Sequence, residues 1–522
     1  MSERKIKAAL ISVYYKEGLE LIVRKLNELN VQLISTGGTE SFIKSLNIPV
    51  TTVESLTAFP EILGGRVKTL HPKIFGGILG RRELNEDVKQ MQQHNIPEID
   101  LVIVDLYPFE ETVQEVSLSL GEGRGEEETQ QKIIEKIDIG GISLIRAAAK
   151  NFNDVLVCAS RNDYADLLKL LEDKRGSSSK DDRQLFATKA FNVTSHYDAA
   201  IFHYFNHDEK ISTFKQSILQ SRTLRYGENP HQQGKFYGDF DALFNQLHGK
   251  EISYNNLADI DAAISLIDEF ENPACAVIKH TNACGCAEAD GALHAWELAL
   301  AGDPVSAFGG IIVFNRAVNK EEAEKINKIF FEVIIAPGYD EEAEAILKQK
   351  KNRIILNRKP DPDQSGQNPK SFKSLLNGVI EQDIDAALSS PSTWKVVTNI
   401  LPSASQIGDL MFAEKCVKHL KSNAIALVKN KQLIGMGCGQ TSRVDALKQA
   451  IAKSKSFSFD LTGSVMASDA FFPFSDCVEI AGEEKISAII QPGGSVRDQE
   501  SIDACNKLGM AMVTTGLRHF LH

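Results

Sequence analysis

Short apolar runs, each closed by glycine, proline or polar residues, alternate along this chain with stretches whose apolar positions return every three or four residues. Residues 8–13 read as a strand, and Leu19, Ile22, Val23, Leu26 and Leu29 then fall on one helical face. A second strand over 32–35 runs into Thr36-Gly37-Gly38-Thr39 and another helix. Leu101-Val102-Ile103-Val104 is apolar without a break, as in a parallel strand buried on both faces. Residues 155–158 are a further strand, and 184–205 a long helix carrying His196 and Tyr197. Strands that alternate with helices in this way predict a parallel, doubly wound α/β domain over residues 1–205.

Residues 206–223 read as a connection, and 224–522 as a second region. There, 252–257 reads as a strand end, with Asp259 or Asp261 available to cap the helix that follows. Residues 274–278 form a short apolar strand, followed by a helix through Trp296, a strand over 311–314 and a helix over 320–334. A strand over 334–339 runs into the Pro337-Gly338 turn. Residues 357–373 read as an exposed excursion. An amphipathic helix over 410–420 leads to a hairpin, 424–428 and 433–435, around Lys429 to Lys431. Strand, polar glycine-bearing turn and helix thus occur at both 274–300 and 424–451. This predicts two similar halves with a boundary near 360–405.

At 522 residues the chain exceeds one core. Its 43% hydrophobic and 25% charged residues are those of a soluble globular protein. A net charge of −12 argues against duplex nucleic acid as the main partner, since phosphate neutralisation needs a basic face. The N-terminus leads straight into a strand, and no apolar run is long enough to span a bilayer. Eight scattered cysteines read as reduced thiols in a cytosolic protein. Cys284 and Cys286 form the one close pair, open to a metal or to a tight turn of small residues.

Candidate chemistry gathers at strand ends. Lys279-His280 closes the run 274–278: an imidazole there can take a proton from an amine, and a lysine can steady a developing anion. Residues 64–73 place Arg66, Lys68, Thr69, His71 and Lys73 in a glycine-led loop that calls for an anionic partner in so acidic a chain. Thr36 to Thr39 has the strand-turn-helix form of a phosphate site. Tyr107 lies just past a strand end. Asp138 lies near the start of a helix on which Arg146 and Lys150 share a face, suggesting a site more than a solvated stripe. Residues 225–232 are almost wholly polar, Gly437 to Arg443 is a second anion-type turn, and residues 468–474 set Asp469 beside three aromatics.

Together these segments resemble one family across nearly the whole chain: the bifunctional purine-biosynthesis enzymes that join 5-aminoimidazole-4-carboxamide ribonucleotide (AICAR) transformylase to IMP cyclohydrolase. The resemblance rests on Gly64 to Pro72, Asp105 to Phe109, Asp138 to Gly141 with Ala147 to Asn151, Arg225 to Gln232, Lys279 to Gly285, Gln440 to Arg443, Ser468 to Phe474 and the Arg518-His519-Phe520 end, in the family's order. It implies a methylglyoxal synthase-like first domain and two cytidine deaminase-like α/β/α subdomains without their zinc. The implied co-substrate is 10-formyltetrahydrofolate. No metal is required by the chemistry, and a monovalent cation is left open. The resemblance further implies a cytoplasmic homodimer acting on small molecules, with no nucleic acid or membrane partner.

For formyl transfer the implied residues are His280 as base, Lys279 at the oxyanion and Asn423 in support. Arg225, Tyr226, Arg443, Arg518 and Phe520 would hold the nucleotide; Asn256, Ile335, Pro337, Gly338, Asp469 and Phe471 would line the folate site. For cyclisation the implied catalytic set is Lys68, Tyr107, Asp138 and Lys150. Ser12, Lys16, Thr36, Gly37, Gly38, Thr39, Arg66 and Thr69 would hold phosphate and ribose. Two positions depart from the family's habit: Tyr14-Tyr15, commonly a small residue and an acid or asparagine, and Asp105, often asparagine. The rival readings are a single-activity enzyme, including a methylglyoxal synthase, a non-catalytic nucleotide- or folate-binding protein, and a zinc deaminase.

Overall fold

The computed structural model describes residues 3–119, 126–360 and 370–522. Gly121 to Gln131, with its glycines and acids, reads from sequence as a solvated loop leading into a helix; residues 121–125 lie outside the described residues, and the helix begins already at Glu126, so 126–131 are helical. The excursion expected over 357–373 lies outside them over 361–369. The chain forms two compact units, Met1–Leu219 and Gln220–His522.

In the first unit, strands β1 (Ala8–Ser12), β2 (Gln32–Ser35), β3 (Thr51–Thr52), β4 (Leu101–Val104) and β5 (Leu156–Cys158) make one sheet in the order β3-β2-β1-β4-β5. All its pairs are parallel. Successive side chains point to opposite faces: Val102 and Val104 enter one core, Leu101 and Ile103 the other. Burial on both faces is why β4 reads as an unbroken apolar run. The chain winds outward from β1 to β3, then returns to β4. The loops after β1 and β4 therefore diverge and leave a crevice at the C-terminal strand ends, where such sheets bind ligands. Helices α1 (Gly37–Ser45) and α2 (Gly140–Lys150) begin near it, and α3 (Lys180–Phe205) packs on α2.

The second unit contains a twelve-stranded mixed sheet. Its strands are β6 (Phe244–His248), β7 (Ala274–Lys279), β8 (Asn282–Glu288), β9 (Ile311–Phe314), β10 (Val333–Ala336), β11 (Ile354–Arg358), β12 (Lys395–Val396), β13 (Ile425–Lys429), β14 (Gln432–Gly437), β15 (Val465–Ser468), β16 (Ala488–Gln491) and β17 (Ala511–Thr514). The order β6-β11-β10-β9-β7-β8-β14-β13-β15-β16-β17-β12 reads the same from either edge: antiparallel edge strand, three parallel strands, hairpin. The expected repeat is therefore present, but the halves share one sheet, joined through the pairing of β8 with β14 at Ala287 and Gln432. One apolar core runs along a single face of both halves, while the opposite face carries a separate core for each. The halves also match in detail. A Cβ on Gly285 would collide with Ala299 O, and one on Gly435 with Ala450 O, so each hairpin lets a helix lie directly on its backbone.

Some local expectations are corrected. Residues 252–257 are not a strand end. Helix α4 spans Tyr254–Ile267, capped by Ser253, whose hydroxyl accepts from the Asn256 N–H (3.2 Å); neither Asp259 nor Asp261 caps it. The helix expected over 320–334 stops at Ile326, and residues 327–332 are a turn and irregular backbone leading into β10. Residues 370–375 open an exposed hairpin with Gly378–Asp383.

Candidate active sites

In the first unit the crevice is a cavity of about 1050 Å³. Ser12, Lys16, Thr36, Gly37, Gly38, Thr39, Arg66, Lys68, Thr69, Tyr107 and Asp138 all line it. Gly37 has φ +56°, and its missing Cβ leaves 3.0 Å to the Lys68 ammonium, so the start of α1 and the basic loop meet. Lys68 pairs with Glu61 (2.8 Å), and Arg66 with Glu135. Thr39 holds the β1 loop: its hydroxyl donates to Val13 O (2.9 Å) and accepts from Val13 N (3.1 Å). Lys16 donates to Tyr14 O (3.0 Å) and Val13 O, and burial lowers its pKa.

Asp138 stands at the N-terminus of α2, and its Oδ1 accepts from the Gly141 N–H (2.6 Å). A Cβ on Gly141 would come within 2.6 Å of Asp138 Oδ2, so any side chain there would push the carboxylate from its place. Burial raises the Asp138 pKa, outweighing amide hydrogen bonds from Gly141, Tyr107 and Ile142. Burial, with Asp138 adding to it, also raises that of Tyr107. A half-buried carboxylate of raised pKa beside a phenol is a proton acceptor next to a proton donor.

The two unusual positions explain each other. Asp105 accepts from the amides of Tyr14 and Tyr15 (3.0 Å for Tyr15), so the carboxylate clamps the tyrosine turn. Lys150 is not brought to this cavity. Ten residues beyond Gly140, it lies about 15 Å down α2 and is exposed. Arg146, on the same face, stacks over Phe191 (5.7 Å). The pair behaves as a surface stripe within the chain. Sequence reasoning missed Lys136, Glu61 and the anchoring role of Tyr197. The Tyr197 hydroxyl donates to Lys136 O (2.7 Å) and accepts from Asp138 N (2.9 Å). An isolated tyrosine on a long helix gives no sign of this.

In the second unit, Lys279 pairs with Asn282 across a two-residue turn, and His280 and Thr281 both have positive φ (51° and 62°). This is type I′ geometry, which costs non-glycine residues about 1–3 kcal/mol each. Asp259, half-buried and with its pKa raised by desolvation, offsets the strain by accepting from Thr281 N (2.6 Å). The other half repeats the device: Asn430 and Lys431 have φ 52° and 55°, and Asp409 accepts from both amides (2.9 and 2.7 Å). The second turn presents asparagine where the first presents His280. His280 is exposed, and Lys279 donates to Phe308 O (2.8 Å).

The predicted binding residues divide in two. Arg225 lies over the Tyr226 ring (5.3 Å), and Arg518 over Phe520 (4.6 Å); Phe471 and Pro337 are also exposed. Others are engaged within the protein. Ile335 belongs to the core, and Asn256 is held by the α4 cap and Glu332 (3.3 Å). Arg443 and Asp469, expected on nucleotide and folate, are buried against each other; Arg443 also donates to Asn423 Oδ1 (2.9 Å) and Ser468 Oγ (2.8 Å). Arg443 therefore orients Asn423. Sequence reasoning also missed a second cavity of about 580 Å³, lined by Lys250, Lys328, Lys350, Lys351, Arg353 and Phe308 among others. Its walls come from loops far apart in sequence.

Residues 148–453 match the family model described as "AICARFT/IMPCHase bienzyme", and residues 18–143 match "MGS-like domain". The chain belongs to the AICARFT/IMPCHase bienzyme family. Curated relatives agree along the full length of the bienzyme. The "Bifunctional purine biosynthesis protein PurH" of Bacteroides thetaiotaomicron is 59% identical over 523 residues, covering 100% of both chains. The proteins of that name from Aquifex aeolicus and Caldicellulosiruptor saccharolyticus are 46% and 45% identical, covering 98% and 99% of this chain and 100% of theirs.

Proposed function

We propose that the second unit transfers the formyl group of 10-formyltetrahydrofolate to the 5-amine of AICAR, and that the first closes the product to IMP. The bienzyme is thus both a formyltransferase and a cyclohydrolase of purine biosynthesis. The observation that carries the assignment is the His280 turn. A strained, exposed imidazole beside Lys279 stands at a strand end in only one of two otherwise matching halves.

His280 takes a proton from the weakly nucleophilic amine as nitrogen bonds to the formyl carbon; the bond from that carbon to the folate nitrogen then breaks, and the folate nitrogen leaves with a proton, releasing tetrahydrofolate. Lys279 stabilises the oxyanion, and Asn423, oriented by Arg443, supports it. Arg225, Tyr226, Arg518 and Phe520 hold the nucleotide, while Phe471, Pro337 and Gly338 flank the folate. In the first unit Asp138 takes a proton from the carboxamide nitrogen as it attacks the formyl carbon, and the formyl oxygen receives one from Tyr107. The former amino nitrogen then gives up its proton to the departing oxygen, the carbon–oxygen bond breaks and water leaves, and Asp138 returns its proton to Tyr107. No outside reactant is needed, and the gain is mostly orientation and charge stabilisation. Lys68 shares the oxygen; the amides of α1, with Ser12, Lys16, Arg66 and Thr69, hold phosphate and ribose.

The bienzyme works as a cytoplasmic homodimer on small molecules. Leu376 and Ile380 of the Lys370–Asp383 hairpin, 97% and 55% exposed, are surface that a second copy would cover. No helix among the described residues is long and apolar enough to cross a membrane. The experiment that tests the division uses two variants. His280→Ala abolishes formyl transfer and leaves cyclisation of supplied formyl-AICAR intact, while Lys68→Ala does the reverse. Loss of both activities in either folded variant would overturn the assignment.

A further inference from the structure

We propose that Lys136 is a positioning residue of the cyclisation site, acting through Tyr107 and held in place by Tyr14; this rests on Tyr107 being the proton donor. The Lys136 ammonium lies 5.3 Å from the centre of the Tyr14 ring and 5.9 Å from that of Tyr107. The two rings meet edge to face at 5.6 Å. All three residues line the cavity. Arg66 and Lys68 each have a carboxylate partner there; among the described residues Lys136 has none, so its charge is directed at the aromatic pair.

The placement is fixed from both sides. Asp105 clamps the amides of Tyr14 and Tyr15, and Tyr197 ties Lys136 O to Asp138 N. The phenol of Tyr107 faces Asp138, Lys68, Tyr14 and Asp105 as well as Lys136. The two carboxylates oppose release of its proton, and the two lysines favour it. When Tyr107 gives its proton to the formyl oxygen it becomes a phenolate, whose ring is more negative than the phenol's. A cation beside the ring therefore gains attraction as the transfer proceeds. Removing Lys136 leaves two anions against one cation and makes Tyr107 a weaker acid.

The test follows cyclisation of formyl-AICAR to IMP against pH in the full chain, with urea unfolding followed by circular dichroism showing that both units are folded. Lys136→Met lowers kcat about tenfold or more with little change in KM, and moves the alkaline limb to higher pH. Lys136→Arg restores most of the rate, and Tyr14→Ala loses several-fold by freeing the lysine. Wild-type kcat and an unmoved alkaline limb in Lys136→Met would overturn the proposal, as would a loss confined to KM. Tyr107→Phe separates the two readings. If it is as slow as expected while Lys136→Met is normal, only the role of Lys136 fails; if it cyclises at the wild-type rate, the proton-donor role of Tyr107 fails first.

Discussion

Replacing Arg443 by methionine removes a guanidinium and keeps most of its apolar stem. Arg443 is 7% exposed, and its carboxylate partner Asp469 is fully buried. The second Asp469 oxygen has no hydrogen-bond partner among the described residues. Arg443→Met thus strands a buried anion, a change that costs about 3–5 kcal/mol where one partner of a buried pair is deleted. The chain has two tryptophans, Trp296 and Trp394, both in the second unit. Urea unfolding followed by tryptophan fluorescence therefore reads that unit alone. The expected result is a midpoint shift equivalent to about 3–5 kcal/mol, with Arg443→Met/Asp469→Leu recovering much of it. Formyl transfer falls because Asn423 loses its orienting donor, while cyclisation is unchanged. A loss below about 1 kcal/mol, or a double variant no more stable than the single, would refute the reasoning.

Three further outcomes follow. Asp105→Asn can accept only one of the tyrosine amides well and sets its own N–H₂ against the other; the KM for formyl-AICAR rises several-fold in a steady-state assay while formyl transfer is unaffected. Because burial raises the Asp138 pKa, the acid limb of cyclisation lies above the ordinary carboxylate value of 3.8, which a pH–rate profile measures. His519 is buried between Asp385 (2.7 Å) and Glu414 (3.6 Å). Burial would lower its pKa, but the carboxylates of Glu414 and Asp385 overcome this and raise it. A raised histidine stabilises the fold below its unfolded value of 6.5 and loses that contribution as pH rises through the folded value. Urea unfolding of the second unit therefore weakens above pH 6.5, and His519→Gln removes that slope.

Strands were legible wherever both faces are buried, since 101–104 and 274–278 have no polar interruption. Strand ends in turn pointed to both candidate sites, because a polar turn after a buried strand is where an α/β sheet opens to ligands. What stayed hidden depends on partners far apart in sequence. Asp105 stands out in the sequence only as a departure from asparagine, and the fold sets it on Tyr14 and Tyr15, some 90 residues away. Lys150 shares its helix with the site, but helical rise carries it to the far end. Arg443 and Asp469 each looked ready for a ligand, and only the fold makes them partners of one another. Asp259 and Asp261 both suit a helix start by sequence, but aspartate also suits a strained turn, which is where Asp259 is used; Ser253, six residues before it, holds the cap.

One chain carries both reactions. Purified protein is mixed with AICAR and 10-formyltetrahydrofolate, and the nucleotide product is identified by mass spectrometry. The expected product is IMP, with tetrahydrofolate released in equal amount. Formyl-AICAR as the end product, or unchanged AICAR, would contradict it.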